Sequence, residues 1–365
     1  MFALKLSIIA VFVGAVQAGR FVCPTGEIND TVSFGAIPVG SNGLTKVPIN
    51  TNCQVTFNIP DGYAVELIVS NTGANEGSIV LITDTVGKIY LTDPITTKMI
   101  MWFASGIARL SIMSSTDTLS VYITYRYKSI TTLARFNIDT GNYFPAKFGS
   151  NYIYTISTKT ANDRVAISVG KINNQVIDPI TNMIFVYDGD NIRNTKMIGR
   201  LADLMMDSDR IYSSGNAISL VCFYDQKNLE SDSYIIGNDA TAVSHLSKYT
   251  VIPLNYKNDS IGQFGDGTIA GSAYTFIHTV FYELYVNHFE YDTTITKNNG
   301  YTEFQGETPT QRREKLIRYD ADTFQVTQIP QFIPGNMFTM YVVSHGRVPR
   351  ISCDTETTPS LSCRA

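Results

Sequence analysis

Charge is scarce in this chain. Lys and Arg number 28 against 32 Asp and Glu over 365 residues, 16% charged in all, and a net charge of -4 with an isoelectric point near 5.6 leaves no basic stripe for a nucleic-acid backbone. Long apolar runs are missing after the first residues, none reaching the ~20 that span a bilayer, so stable membrane insertion is not expected. Residues 360–365 are polar and lack the hydrophobic tail of a lipid-anchor signal. Only four histidines occur, His245, His278, His288 and His345, with no His-Glu-x-x-His spacing among them. No Gly-x-Ser-x-Gly elbow is present, and Gly265-Asp266-Gly267-Thr268-Ile269-Ala270 lacks both a following helix pattern and the Lys-Ser/Thr pair of a phosphate loop, so it reads as a surface loop. No catalytic residue, metal or cofactor is therefore expected.

What is present points to strands outside the cell. Hydrophobic residues make up 44%, enough for ordinary cores, and 21 Tyr and 19 Phe beside only 16% charged residues fit an extracellular β protein better than a cytosolic enzyme rich in Glu and Lys helices. The length suggests two or three domains. At the start, Lys5 precedes an apolar run over 6–16, and Val16-Gln17-Ala18 offers small residues for cleavage before Gly19, so 1–18 reads as a signal peptide and the protein as secreted. Export permits disulfides. Of five cysteines, Cys23 and Cys53 lie near the start and Cys353 and Cys363 near the end, so two local bridges are the simplest pairing; sequence alone does not fix connectivity. Cys222 is left over and reads as a small buried hydrophobe. Asn29-Asp30-Thr31 and Asn258-Asp259-Ser260 make Asn29 and Asn258 glycosylation acceptors.

The most legible stretch is 183–225. An apolar run over 183–187 stops at Asp188-Gly189, a dipeptide that tolerates positive φ, and after the polar turn Ser213-Ser214-Gly215-Asn216 an alternating strand runs to Asp225. Two strands around a loop are expected. Earlier, Asn42-Gly43 signals a hairpin, and Cys53 opens a strand that reaches a Pro60-Asp61-Gly62 turn before a second apolar strand. Over 118–127, Leu119, Val121, Ile123, Tyr125 and Tyr127 face one way, predicting a half-buried strand. Trp102, in an apolar run, reads as core. In the last third, 276–290 reads as one strand and 338–344 as another. Thr308-Pro309-Thr310-Gln311 carries a helix-start pattern, predicting a helix over 309–319 with Arg312 and Arg313 on its solvated face.

Tyr187-Asp188-Gly189, Ile198-Gly199-Arg200, Ser213 to Asn216 and the strand ending in Asp225 resemble, in their order, the CUB domain, a secreted β-sandwich. Cys23-Pro24-Thr25-Gly26, with Cys53 thirty residues on, is similar to the CUB-like domain of secreted nematode proteins. The resemblance implies a CUB-like sandwich over 21–128 and a second over 129–246; with the strands read in the last third as a β-rich domain over 247–365, the expected fold is all-β. Many CUB domains hold calcium with three acids. Here Asp225 matches one, but the others fall at Asn182 and Asn174, so no calcium site is expected. The functional expectation is a non-catalytic recognition protein for a protein or glycan ligand, and the family analogy implies a role in innate immunity or pathogen response. Its candidate surface is the loop with Asp188, Asp190 and Arg193, the turn at Asn216, Asp225, and tyrosines near Tyr122 and Tyr152. The alternatives are a secreted hydrolase acting on polysaccharide and an extracellular structural protein.

Overall fold

Period-two alternation becomes strand wherever one side of the chain has a core to face. The computed structural model describes residues 20–365 apart from 93–97, 151, 171–178, 194, 196, 225–230, 232, 255–261, 264–270, 279–282, 292–299, 312–314, 326, 328–330, 344–348 and 355–365. Residues 1–18, read above as a signal peptide, lie outside the described residues, as do Asn174, Asp225, Asn258, Arg312, Arg313, His345 and Cys363. The fold is all-β, built of antiparallel sheets. Two compact units divide the chain, 1–129 and 130–365.

The first unit is one sandwich. Its strands are β1 (Glu27–Ile28), β2 (Phe34–Ile37), β3 (Thr45–Lys46), β4 (Thr51–Ile59), β5 (Tyr63–Thr72), β6 (Ser78–Thr83), β7 (Ile89–Leu91), β8 (Met99–Phe103), β9 (Gly106–Ser114) and β10 (Ser120–Ser129). One sheet runs β1-β4-β9-β6-β7 and the other β2-β10-β5-β8, with β3 also on β10. The strand expected over 118–127 is β10, with Val121, Ile123, Tyr125 and Tyr127 buried as the alternation requires. Between the layers Val55, Phe57, Val80 and Leu110 meet Val65, Leu67, Val121 and Ile123. Each such side chain contributes about 1.5–3 kcal/mol on full burial.

The second unit holds two more sandwiches. The first has β11 (Ala134–Asp139), β12 (Tyr143–Pro145), β13 (Tyr152–Ser157), β14 (Val165–Gly170), β15 (Ile184–Asp188), β16 (Met197–Arg200), helix α1 (Leu201–Asp207), β17 (Ile211–Tyr212), β18 (Ala217–Cys222), β19 (Tyr234–Asp239) and a short helix α2 (Ala240–Val243). The last has β20 (Lys248–Leu254), β21 (Gly262–Gln263), β22 (Ser272–His278), β23 (Glu283–Tyr291), β24 (Tyr301–Gly306), β25 (Lys315–Asp320), β26 (Gln331–Pro334), β27 (Met337–Val343) and β28 (Pro349–Asp354). The sheets run β11-β13-β18-β15-β16 with β12-β19-β14-β17, and β20-β22-β27-β24-β25 with β21-β28-β23-β26.

Set beside the first unit with β3 left aside, these orders are the same topology three times over. Each opening strand lies parallel to its neighbour, β1 on β4, β11 on β13 and β20 on β22, in sheets otherwise antiparallel. The final strand of each sandwich, β10, β19 or β28, inserts between two earlier ones. Three copies of one fold thus follow one another, including the C-terminal third that reads in sequence only as β-rich.

Several local expectations change. Pro60-Asp61-Gly62 does turn the chain, with Gly62 at φ +79°, but β4 and β5 belong to opposite sheets, so the turn is an arch and not a hairpin. The stretch 276–290 is likewise two strands, β22 and β23, in opposite sheets. Asn42-Gly43 bends the chain between β2 and β3, which both pair with β10 and not with each other. Between β15 and β18 come a further strand, a helix and β17, not a single loop. The helix expected over 309–319 is a turn at 309–311 followed by β25, because Tyr319 is needed in the core beside Phe289 and Phe304. The strand near 338–344 is β27. Trp102 is 4% exposed, but it sits across from Glu66 on the outward register of β8, with Lys128 Nζ 5.9 Å from its ring centre.

The two sandwiches of the second unit are joined by an apolar seam and a polar thread. Ala166, Ile236, Val243 and Tyr249 pack with Ala273, Ile277 and Met337. Through the seam, Thr310 Oγ1 accepts the Asp239 N–H at 2.7 Å and donates to Asn238 Oδ1 at 3.2 Å. Asn238 Nδ2 donates to Tyr249 Oη at 3.1 Å, Tyr249 Oη shares a bond with Thr275 Oγ1 at 2.8 Å, and Thr275 continues to Thr339 at 2.8 Å. Arg210 closes one side, donating to the carbonyls of Val243 at 2.5 Å and Leu246 at 3.0 Å.

Candidate functional site

The sequence-predicted positions fall into several places. Cys23 and Cys53 form a disulfide with Cα atoms 5.8 Å apart, tying the segment before β1 to β4. Cys353 has its backbone in β28, and its partner position lies outside the described residues. Cys222 is buried, its thiol 3.5 Å from the Tyr224 carbonyl oxygen. Asn29 sits in a turn where its Oδ1 accepts the Thr31 N–H at 3.1 Å and hydroxyl at 2.5 Å.

Of the loop candidates, Asp188 ends β15 and its Oδ1 accepts the Ser214 N–H at 2.7 Å, while the Gly189 carbonyl accepts the Ser219 hydroxyl at 2.7 Å. The carboxylate therefore staples the β15 turn to the turn before β18, bringing together two segments that the sequence pattern singled out. Asp190 is exposed and its carbonyl accepts from Arg135; Arg193 and Asn216 are exposed as well. Asn182 is exposed in a short 3-10 turn, Pro179–Met183. Among the described residues no three acidic, His or Cys side chains cluster as metal ligands would.

A groove in the first sandwich went unread in sequence, apart from Tyr122. On the sheet β2-β10-β5-β8 the register sets Phe34 across from Arg126, Ala36 across from Thr124, Thr124 across from Ile68 and Arg126 across from Glu66, all on the outward face. With Tyr122 they line a cavity of about 680 Å³. Its rim is β2, which has β10 as its only ladder partner among the described residues and so offers a free strand edge. Gly35 makes the rim possible, since a Cβ there would overlap the end of the Tyr125 ring. Phe34 is 75% exposed, far more than an aromatic ring of an ordinary strand. Glu66 Oε2 and Arg126 Nη2 are 2.7 Å apart across the floor. With Arg126 mostly exposed, that pair contributes at most about 1 kcal/mol to stability.

A bridged N-terminal segment, a parallel opening strand in otherwise antiparallel sheets and an open outward groove make the first unit a module of β-sandwich type. Residues 18–131 match the family of CUB-like domains. No curated protein matches the chain. Among solved structures it is similar to the CUB1-EGF-CUB2 domains of human MASP-1/3, at 9% identity over 57% of this chain and 100% of that one, with a TM-score of 0.23. The same domains of rat MASP-1 give 10% identity over 58% and 99%, TM-score 0.24. The extracellular region of zebrafish Gpr126/Adgrg6 gives 10% over 92% and 53%, TM-score 0.25. Likenesses at such scores carry no argument of their own.

Proposed function

We propose that this is a secreted, non-catalytic recognition protein whose first sandwich captures an extended segment of a protein ligand along β2. The observation that carries the reading is the exposed Phe34 on an unpaired strand edge, directly over an apolar groove. A free edge supplies main-chain hydrogen bonds, and the groove takes alternate side chains of the added strand. The lining favours a protein segment over a sugar: the Glu66–Arg126 pair is satisfied internally, and the rest of the lining is mainly aromatic and aliphatic. The match of residues 18–131 to CUB-like domains, which are typically extracellular recognition modules, and the Cys23–Cys53 bridge support action outside the cell. By analogy with the nematode CUB-like proteins, this protein acts in innate immunity or the response to pathogens.

Selection of random peptides against the secreted chain tests the groove. Burying Phe34 is worth about 1.5–3 kcal/mol, so Phe34→Ala should weaken the selected peptides by about 10–150-fold. Peptides that bind a Phe34→Ala, Tyr122→Ala double variant as tightly as the parent would sink the reading. Expression in animal cells tests the address: the chain should reach the medium starting at Gly19, carrying a glycan that Asn29→Gln removes.

A further inference from the structure

We infer that the third sandwich carries a separate pocket for a neutral saccharide. Alternation along β24 sends Thr302 and Phe304 into the core and leaves Tyr301, Glu303 and Gln305 on the outward face. On β27 the register sets Tyr341 across from Glu303 and Val343 across from Tyr301. The segment after α2 brings His245 and Leu246 to the same place, and together they enclose about 350 Å³. That is at the low end of the roughly 300–1,000 Å³ of small-ligand sites and suits about one or two sugar rings.

The charges in the wall decide the ligand class. Glu303 Oε2 lies 2.7 Å from Lys315 Nζ, and its Oε1 accepts from Gln305 Nε2 at 2.6 Å. Burial pushes this carboxyl up, but the bonds from Lys315 and Gln305 and the charges of Lys315 and Arg318 outweigh it and hold it below the usual range. It is thus ionised and already neutralised. The guanidinium carbon of Arg318 sits 3.8 Å from the centre of the Tyr301 ring, filling the position an organic cation would take. An anion would meet the Glu303 carboxylate. Facing the cavity are Tyr301 and Tyr341, the Glu303 carboxylate in a fixed orientation, the Gln305 amide and the exposed imidazole of His245. Flat apolar surface beside convergent acceptors matches a sugar, whose C–H face lies on a ring while its hydroxyls donate.

The test is calorimetry and saturation-transfer NMR on the full chain with glucose, galactose, mannose and N-acetylglucosamine and their disaccharides, beside choline and N-acetylneuraminic acid. At least one neutral sugar should bind with a dissociation constant below about 1 mM. Tyr301→Ala and the half-buried Gln305→Ala should each weaken it about tenfold or more, while Ile89→Ser on the exposed edge of the first sandwich should leave it unchanged. Should Tyr301→Ala fail to fold, Gln305→Ala carries the test. Silence from every neutral sugar at about 10 mM, tighter binding of choline or the acidic sugar, or equal binding by both variants would overturn the assignment. Peptide capture on β2 is read independently, so either proposal can fail alone.

Discussion

Tyr249→Phe should weaken the joint between the second and third sandwiches without disturbing its packing. The ring is 1% exposed and stays in place in the variant; only the hydroxyl leaves. That hydroxyl accepts from Asn238 Nδ2 and is bonded to Thr275. Thr275 retains Thr339, but the Asn238 amide, itself buried, loses its partner on Tyr249. An orphaned buried donor costs about 1–3 kcal/mol. In a unit of this size each kcal/mol shifts the melting temperature by about 2–4 °C, so the expected fall is about 2–12 °C. Differential scanning calorimetry should show one transition for residues 130–365 in the parent and a lowered or split one in the variant. The exposed Tyr152→Phe is the control and should change stability by less than about 0.5 kcal/mol. A cycle with Asn238→Ala should return a coupling of about 0.5–3 kcal/mol. If Tyr249→Phe melts like Tyr152→Phe, or if the parent's two sandwiches already melt apart, the polar thread does not couple them.

Two further outcomes follow from buried chemistry. Burial pushes the Tyr249 and Tyr127 phenols up, the latter helped by Asp30 and Tyr125, so above about pH 10 the unfolded chain sheds protons that the folded one keeps. Stability should therefore hold below that pH and fall above it by up to about 1.4 kcal/mol per pH unit per phenol, a slope that Tyr127→Phe flattens; complete phenolate absorbance in a still-folded protein would contradict this. Replacing Cys53 with Ser opens a loop with a sequence separation of 30 and should cost about 3–4 kcal/mol, measured by urea titration; a loss under about 1 kcal/mol would show that the bridge is dispensable.

The sequence was most readable where burial is one-sided. Leu119 to Tyr127 alternates because β10 faces the core on one side only, and that strand falls where its pattern says. In β18 the pattern found the strand but not its setting: Ser219 and Val221 are buried as fully as Ile218 and Leu220, so alternation there says nothing about an open face. Crossings between layers were not legible, since Pro60-Asp61-Gly62 reads as a turn whether the next strand pairs with the last one or passes to the other sheet. The threefold repetition was hidden for the same reason, with arches of three residues between β4 and β5 and seven between β13 and β14. Both pockets were illegible because register, not spacing, sets Phe34 beside Arg126 and Tyr341 beside Glu303. Tyr122 alone of the groove was singled out, as an aromatic on the outward side of a confident strand.

The late insertion of each closing strand bears on how the polypeptide is made. Until Ser120 to Ser129 leaves the ribosome, β2 and β5 have nothing between them, and the same holds for Tyr234 to Asp239 and Pro349 to Asp354 in their own layers. Each module has a hairpin of consecutive strands, β6-β7, β15-β16 or β24-β25, but only at one end of one sheet, so its closure still waits on contacts distant along the chain and is slow. A nascent chain arrested just short of any of these three segments presents two raw sheet margins to its surroundings, and it is there that a chaperone would find most to hold.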